Sequence, residues 1–123
     1  MNIHEFYQKI EGNYQDTKDM IGDDDAIVAF AKRFPKISKM DQVRAALESG
    51  DAAGLFKLTH GLKGAAGSIG FTRLATKVAV VCDSVRCPAG GTQPPCPAAD
   101  SEPVLAMFAE YDSLLQDLAN LES

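Results

Sequence analysis

The feature that most limits the fold of this chain is the spacing of its apolar residues, which recur three and four positions apart. That spacing places side chains on one face of an α-helix, and the alternation typical of half-buried strands is nearly absent. Long helices are predicted over about residues 27–48, 51–68, 71–85 and 102–121, with shorter ones over 2–11 and 14–21. Four long helices with one apolar stripe each bury those stripes most simply against one another. We therefore expect an all-α fold, an antiparallel four-helix bundle with a short N-terminal helix.

Composition and charge limit the class of protein further. The chain has 123 residues, of which 46% are hydrophobic, so we expect one domain spanning residues 1–123. Its 17 acidic and 12 basic residues give a net charge of -5, which disfavours binding to nucleic acid. No apolar stretch approaches the ~20 residues of a membrane span, and the N-terminus lacks the features of a signal peptide. We expect a cytoplasmic protein and, because the stripes are used inside the bundle, a monomer.

Several residues predict where the helices begin, bend and end. Pro35 lacks a backbone donor and is expected to kink the helix over 27–48. The three aspartates at 23–25 are interpreted as a helix N-terminus rather than a metal site, because carboxylates cap and stabilise that end of a helix. Residues 87–101 are rich in Pro and Gly and predict a flexible exposed loop, longer than a typical helix–helix connection.

Three cysteines are an odd number, which argues against a full disulfide framework. Cys82 lies at a helical apolar spacing and is predicted to be a core residue. Cys87 and Cys96 bracket the Pro/Gly loop and could meet across it, but in a reducing compartment we expect both to be free thiols. No Cys/His cluster has the spacing of zinc ligands, so no metal site is predicted.

One histidine, His60, stands where a structural histidine is not expected. With residues 53–69 placed on a helix at about 100° per residue, His60 falls opposite the apolar stripe and faces water. The predicted stripe consists of Leu55, Leu58, Leu62, Ala65 and Ile69. A buried structural histidine would lie on or beside that stripe, so the sequence predicts a histidine that acts in solvent.

Two lysines flank this histidine on the helical wheel. Lys57 and Lys63 fall about 60° to either side of His60, one turn away in each direction. Their charge disfavours an imidazolium, favours a neutral nucleophilic ring, and attracts a phosphoryl group. The alternative interpretation is two ordinary surface lysines, which charge alone does not distinguish.

Glycines and one aromatic residue share the same exposed face. Gly64 and Gly67 leave the histidine ring unobstructed, although each glycine costs roughly 1 kcal/mol relative to alanine inside a helix. Close helix packing is the alternative explanation for glycine, and it fits Gly61 better than these two. Phe56 is predicted to be exposed beside the histidine, where it would form part of a docking patch.

Several enzyme classes lack their motifs in this chain. The glycines at 61, 64, 67 and 70 suggest phosphate binding, but no segment matches G-x-x-x-x-G-K-[ST]. A dinucleotide fingerprint requires a preceding strand, and none is predicted. No serine or cysteine is patterned as the nucleophile of a catalytic triad. We expect no nucleotide site, no bound cofactor and no autokinase activity.

Residues 60–70, with the sequence HGLKGAAGSIG, and Leu74 after them fit the pattern H-x-L-K-G-x-[AS]-x-x-[ILV]-G-x-x-x-L. This pattern resembles that of the histidine-containing phosphotransfer (HPt) domain family. The preceding segment 47–51, LESGD, is similar to the family's helix-ending A-L-x-x-G-D segment. The motif covers about thirty residues directly, and the plan of helices extends the resemblance to most of the chain; the long loop at 87–101 is the main departure.

The resemblance implies a four-helix bundle whose exposed histidine carries a phosphoryl group as a phosphoramidate. The group would move to or from an aspartate of a response-regulator receiver domain, which brings the Mg²⁺, and a sensor or hybrid histidine kinase would stand upstream. Carried over by position, His60 would be the phosphoacceptor, Lys63 would assist electrostatically, and Gly64 would leave room for the incoming aspartate pocket.

Other interpretations remain open at this point. The chain could be a free-standing phosphorelay intermediate or the excised domain of a larger kinase, and its initiating Met and its end soon after the last helix favour the first. A non-phosphorylated adaptor would bind a partner through Phe56, His60 and Lys63. A metal or redox sensor would use Cys87 and Cys96.

Overall fold

The computed structural model describes residues 1–122, and that part of the chain contains α-helices and no strand. Seven helices lie within the described residues: α1 (Ile3–Lys9), α2 (Tyr14–Ile21), α3 (Asp24–Ile37), α4 (Met40–Ser49), α5 (Ala52–Ser68), α6 (Thr72–Ser84) and α7 (Glu102–Ala119). The prediction of an all-helical fold is therefore confirmed. No helix among these seven is both long and apolar enough to cross a membrane.

Short-range capping defines the N-terminal helices. Asn2 and Glu5 form a reciprocal capping box, in which each side chain accepts a hydrogen bond from the other's backbone N–H. Gly22 ends α2 with a φ of 91°, a conformation that glycine adopts without a steric penalty. Asp23 then caps α3 by accepting from the backbone N–H of Asp25 at 3.3 Å. The interpretation of the aspartate run as a helix N-terminus is confirmed.

The predicted continuous helix over residues 27–48 is wrong, because the chain breaks at Ser38 and Lys39. Pro35 stays inside α3, which ends at Ile37. Lys39 has a φ of 53°, a left-handed conformation that costs about 1–2 kcal/mol for an L-residue. The buried Ser38 hydroxyl donates to the Pro35 carbonyl at 2.9 Å and lies 2.9 Å from the Tyr111 hydroxyl. The break is thus anchored to α7, which no local pattern could show.

The helix that carries His60 begins and ends as predicted. Asp51 caps α5 by accepting from the backbone N–H of Gly54 at 2.9 Å. Gly70 turns the chain toward α6 with a φ of 78°, and its carbonyl accepts from the N–H of Asn13 at 2.9 Å. This glycine therefore also fixes the linker between α1 and α2.

Residues 87–101 connect α6 to α7 without helix or strand. The Gln93 side-chain amide donates to the Val85 carbonyl at 2.7 Å, and Cys96 packs against the core. Pro103 lies in the first turn of α7, where its missing N–H has no helical partner to lose.

The core lies between the apolar faces of all the longer helices. α5 packs against α4 and α6, α6 packs against α7, and α7 contacts α3 and α1. An aromatic cluster of Phe6, Tyr7, Phe34 and Phe71 joins α1 to this core, and each such side chain contributes about 1.5–3 kcal/mol on burial. The Tyr7 hydroxyl donates to the Ile69 carbonyl at 2.6 Å. α1 is thereby attached to the C-terminal end of α5.

Candidate functional site

His60 lies in the middle of α5 and is exposed, as the helical wheel predicts. Its helix is held on its other side by two neighbouring helices, α4 and α6. A ring in that position is accessible from solvent while the backbone beneath it is rigid. This combination suits a side chain that must meet a reacting group on another molecule.

The buried stripe of α5 is rotated from the predicted one. Leu58 and Ala65 are only half-buried, whereas Thr59 and Ala66 are buried beside Leu55 and the other predicted members. Thr59 is tolerated in the core because its hydroxyl donates to the Leu55 carbonyl at 2.7 Å. The centre of the buried face shifts by about 40° as a result.

That rotation changes the surroundings of the histidine. It moves Phe56 and Lys63 toward the core edge, so both are half-buried, and the prediction of an exposed Phe56 is wrong. It moves Lys57 and Gly64 further into solvent, where both are exposed. The two flanks of His60 are therefore different: the one with Phe56 and Lys63 is partly covered, and the one with Lys57 and Gly64 is open.

On the covered flank, the Phe56 ring stacks on the imidazole of His60. The ring centroids are 5.6 Å apart and the planes differ by 21°. The Arg86 guanidinium, which follows the end of α6, lies over the same Phe56 ring at 5.2 Å from its centroid. Arg86 also donates to the Asp83 carboxylate at 3.1 Å. Sequence reasoning missed Arg86, because its contact with Phe56 depends on the packing of α6 against α5.

On the open flank, Lys57 lines a cleft of about 290 Å³ together with Lys39, Ser38 and Gly61. Within residues 1–122, neither Lys57 nor Lys63 forms an ion pair with an acidic side chain. Both ammonium groups are therefore available to an anionic group that reaches His60.

The glycines of the exposed face are not required for packing. A Cβ atom added at Gly61, Gly64 or Gly67 would meet no heavy atom within 4 Å. The alternative of close helix packing therefore does not explain these three. Gly70 differs, because a Cβ there would meet the Asn13 carbonyl oxygen at 2.5 Å.

An apolar groove lies beside this face. Its volume is about 270 Å³, and Ala65 and Ser68 of α5 form one wall. Met20, Phe30 and Ile37 of the preceding helices form the other, and these side chains are 70%, 46% and 48% exposed. Ile37 and Ala65 also line the cleft next to Lys57, so the groove and the cleft adjoin each other.

The cysteines lie apart from the histidine. All three are free thiols: Cys82 is buried, Cys87 is exposed and Cys96 is half-buried. The core position predicted for Cys82 is confirmed. Burial, and secondarily the charge of Asp51, raises the pKa of the Cys96 thiol. In the described part of the chain, no group of three or more His, Cys, Asp or Glu side chains could hold a metal ion.

These features define a helical bundle that presents a histidine to solvent between cationic groups. A family model described as Hpt domain matches residues 38–122, which include α4 to α7 and the whole of the site on α5. The chain therefore belongs to the Hpt domain family, whose members are helical bundles with a role in phosphorelay signalling. Membership implies partners of the phosphorelay, such as receiver domains and kinases. The comparisons with curated proteins and with solved structures found no significant match.

Proposed function

We propose that His60 accepts a phosphoryl group and passes it to or from the aspartate of a response-regulator receiver domain. The observation that carries this proposal is the exposed imidazole on a packed helix, with Lys57 and Lys63 one turn to either side and without an ion pair among the described residues. Within residues 1–122 no hydrogen bond or ion pair engages the His60 ring, whose contact is the stack on Phe56, so both ring nitrogens are available.

The proposed chemistry is a displacement at phosphorus. A neutral ring nitrogen of His60 attacks with its lone pair, the new N–P bond forms, and the O–P bond to the aspartate carboxylate breaks. The other ring nitrogen keeps its proton, so the phosphorylated ring carries the positive charge. Such transfer depends on in-line geometry and charge stabilisation more than on an acid or base from the protein. Lys63 and Lys57 would hold the phosphoryl oxygens.

The partner would supply the metal and the docking contacts. We propose that the receiver domain brings Mg²⁺, and that this chain binds no cofactor and has no ATP site. Gly64 and Gly67 would let the receiver approach the ring, since no side chain projects there. The apolar groove beside the site, with Met20, Phe30 and Ile37 exposed, supports a docking surface for such a partner. A sensor or hybrid histidine kinase would stand upstream.

We also propose that residues 1–123 form one domain and act as a cytoplasmic monomer that binds neither nucleic acid nor membrane. The net charge of -5 supports the absence of nucleic-acid binding. The finer architecture that we propose is an antiparallel four-helix bundle in which α3 with α4, α5, α6 and α7 are the four members. The packing of α5 against α4 and α6, and of α6 against α7, supports this order.

The test is incubation with a phosphorylated receiver domain, followed by intact-mass measurement with and without acid treatment. We expect the gain of one acid-labile phosphoryl group, which should disappear in His60→Gln. His4→Gln is the matched control, because His4 is the second of the two histidines and lies on α1. A receiver that binds tightly but never labels His60 would contradict the proposal and favour an adaptor.

A further inference from the structure

We propose that Phe56 is a positioning residue that fixes the plane of the His60 ring for transfer, and that Arg86 acts through Phe56 to hold it in place. This inference rests on the proposed function, because it concerns the efficiency of the same histidine. The tests below distinguish a Phe56 residue without effect on the rate from a His60 residue that is never phosphorylated.

Phe56 and His60 form a stacked ring pair on α5. Phe56 lies four residues before His60, so the two side chains share one helix face. Their centroid distance of 5.6 Å and interplanar angle of 21° are those of an offset stack. An exposed imidazole on a helix rotates freely about its side-chain bonds, and a stacked neighbour removes part of that freedom. The reacting nitrogen then points in a restricted set of directions.

Phe56 is itself restrained, by the edge of the core and by Arg86. The ring is half-buried at the edge of the core, because α5 is rotated toward this side. The Arg86 guanidinium lies over it at 5.2 Å, within the range of a cation–π contact. The Asp83 carboxylate accepts from the guanidinium at 3.1 Å and limits its movement. Phe56 is thus held by its own helix and by the end of α6.

Phe56 differs from Lys57 and Lys63 in how it could affect transfer. Phe56 carries no charge and cannot hold a phosphoryl oxygen, so its proposed effect on transfer is indirect, through the orientation of the His60 ring. In-line displacement is sensitive to geometry, and small misplacements of a reacting group reduce its rate substantially. We expect loss of the stack to slow phosphorylation of His60 by about threefold to tenfold without abolishing it.

The experiment uses phosphoramidate as a small phosphoryl donor, which removes receiver docking from the measurement. The His60 nitrogen attacks phosphorus, the N–P bond of phosphoramidate breaks, and ammonia leaves. Rates are measured by intact mass for the wild type, Phe56→Leu, Phe56→Tyr and Arg86→Gln. Thermal unfolding checks that each variant is folded, and Arg86→Gln changes an exposed side chain that is not part of the core.

The chain offers a matched control for an aromatic ring under a guanidinium. Arg44 lies over Phe108 at 4.0 Å from the ring centroid, between α4 and α7, and neither residue forms a ring contact with His60. Phe108→Leu and Arg44→Gln remove a comparable pair and should leave the phosphorylation rate unchanged. Rates of Phe56→Leu and Phe108→Leu that are equal would overturn the inference.

Proton NMR of the His60 ring tests whether the stack on Phe56 exists in solution. The stacked Phe56 should shift the His60 ring protons upfield, and the His60→Gln variant identifies those signals. We expect Phe56→Leu to lose both the shift and the rate, and Phe56→Tyr to retain both. Loss of the shift with an unchanged rate would contradict a positioning role.

A double variant tests whether Arg86 acts through Phe56. If it does, Phe56→Leu with Arg86→Gln should be no slower than Phe56→Leu alone. Rate losses that multiply would instead mean that Arg86 contacts the phosphoryl group directly, which would overturn this part of the inference. If the wild type itself gains no phosphoryl group on His60, the proposed function fails, whatever the stack does.

Discussion

At the scale of single residues, the glycines of the family motif have two different roles. Gly64 leaves open space next to His60, and a Cβ there would meet no heavy atom within 4 Å. Gly70 has a φ of 78° and lies against the Asn13 carbonyl and the Thr17 hydroxyl. The space at Gly64 would serve a group that approaches His60, whereas Gly70 is required by the backbone conformation and packing of the fold.

This difference predicts opposite effects of alanine. Gly64→Ala should raise the free energy of unfolding by up to about 1 kcal/mol, because alanine favours the helix and has room. Gly70→Ala should lower it by more than about 1 kcal/mol, because the backbone is left-handed and the new methyl group has no space. Denaturant unfolding of both variants checks the signs, and slower transfer from a receiver in the stabilised Gly64→Ala would show that the open space serves the partner.

The thiols differ in accessibility and should differ in reactivity. Alkylation with iodoacetamide should modify Cys87 first, Cys96 more slowly and Cys82 only on unfolding. Burial raises the pKa of the Cys96 thiol and so reduces its thiolate fraction at neutral pH. A time course by peptide mass mapping measures the order. If modification of Cys87 and Cys96 changed phosphorylation of His60, the loop would have a redox role that the proposed function lacks.

At the scale of helices, the break between α3 and α4 is the clearest case in which tertiary contacts override a local pattern. The apolar spacing continues from Ile27 to Leu47, and Pro35 alone would only kink a helix. The chain instead turns at Lys39, where the Ser38 hydroxyl meets both the Pro35 carbonyl and the Tyr111 hydroxyl. These contacts offset the cost of a left-handed lysine.

Removing the Tyr111 hydroxyl should therefore weaken this junction. We expect Tyr111→Phe to lower the free energy of unfolding by about 1 kcal/mol, the usual net value of a buried hydrogen bond. The aromatic ring keeps its packing, so the change reports the hydroxyl alone. Chemical denaturation gives the value, and a double variant with Ser38→Ala should show that the two effects do not add. Full additivity would mean that the bond contributes nothing.

At the scale of the whole molecule, the N-terminal helices are joined to the bundle by titratable groups. Hydrogen bonding by the Tyr14 hydroxyl, and then by Lys18 at 3.2 Å, holds the pKa of Asp24 below its ordinary value. The same bond to Asp24 raises the pKa of Tyr14 to about 12. Burial raises the pKa of Tyr7 to about 12.

These shifts predict how stability depends on pH. Asp24 contributes stability above its unfolded pKa of about 3.9 and loses it as the pH falls through its lower folded pKa. The tyrosines contribute fully below their unfolded pKa of about 10 and lose this contribution as the pH rises toward 12. Tyr14→Phe should therefore reduce the pH dependence of the unfolding midpoint at both ends, and Tyr7→Phe only at the alkaline end. An unchanged acid limb in Tyr14→Phe would contradict this account.

Much of the fold and of the candidate site follows from local physics. The caps at Asp23 and Asp51 and the terminal Gly22 act within a few residues, so the sequence alone predicts where helices start and stop. The exposure of His60 follows from the period of α5. The half-burial of Phe56 and the nearness of Arg86 could not be predicted, because both depend on how far α5 is rotated against α6.

Three properties of this chain could be predicted from its amino-acid sequence: that it is helical, which residue faces solvent between two lysines, and which family it resembles. These properties depend on spacing along one helix and on motif residues, and neither requires knowledge of distant contacts. Three other features depend on the tertiary structure: where the long helix breaks, which flank of His60 is covered, and how Arg86, just after α6, reaches Phe56. Those outcomes depend on contacts between residues far apart in the chain, where packing and buried hydrogen bonds outweigh local preference.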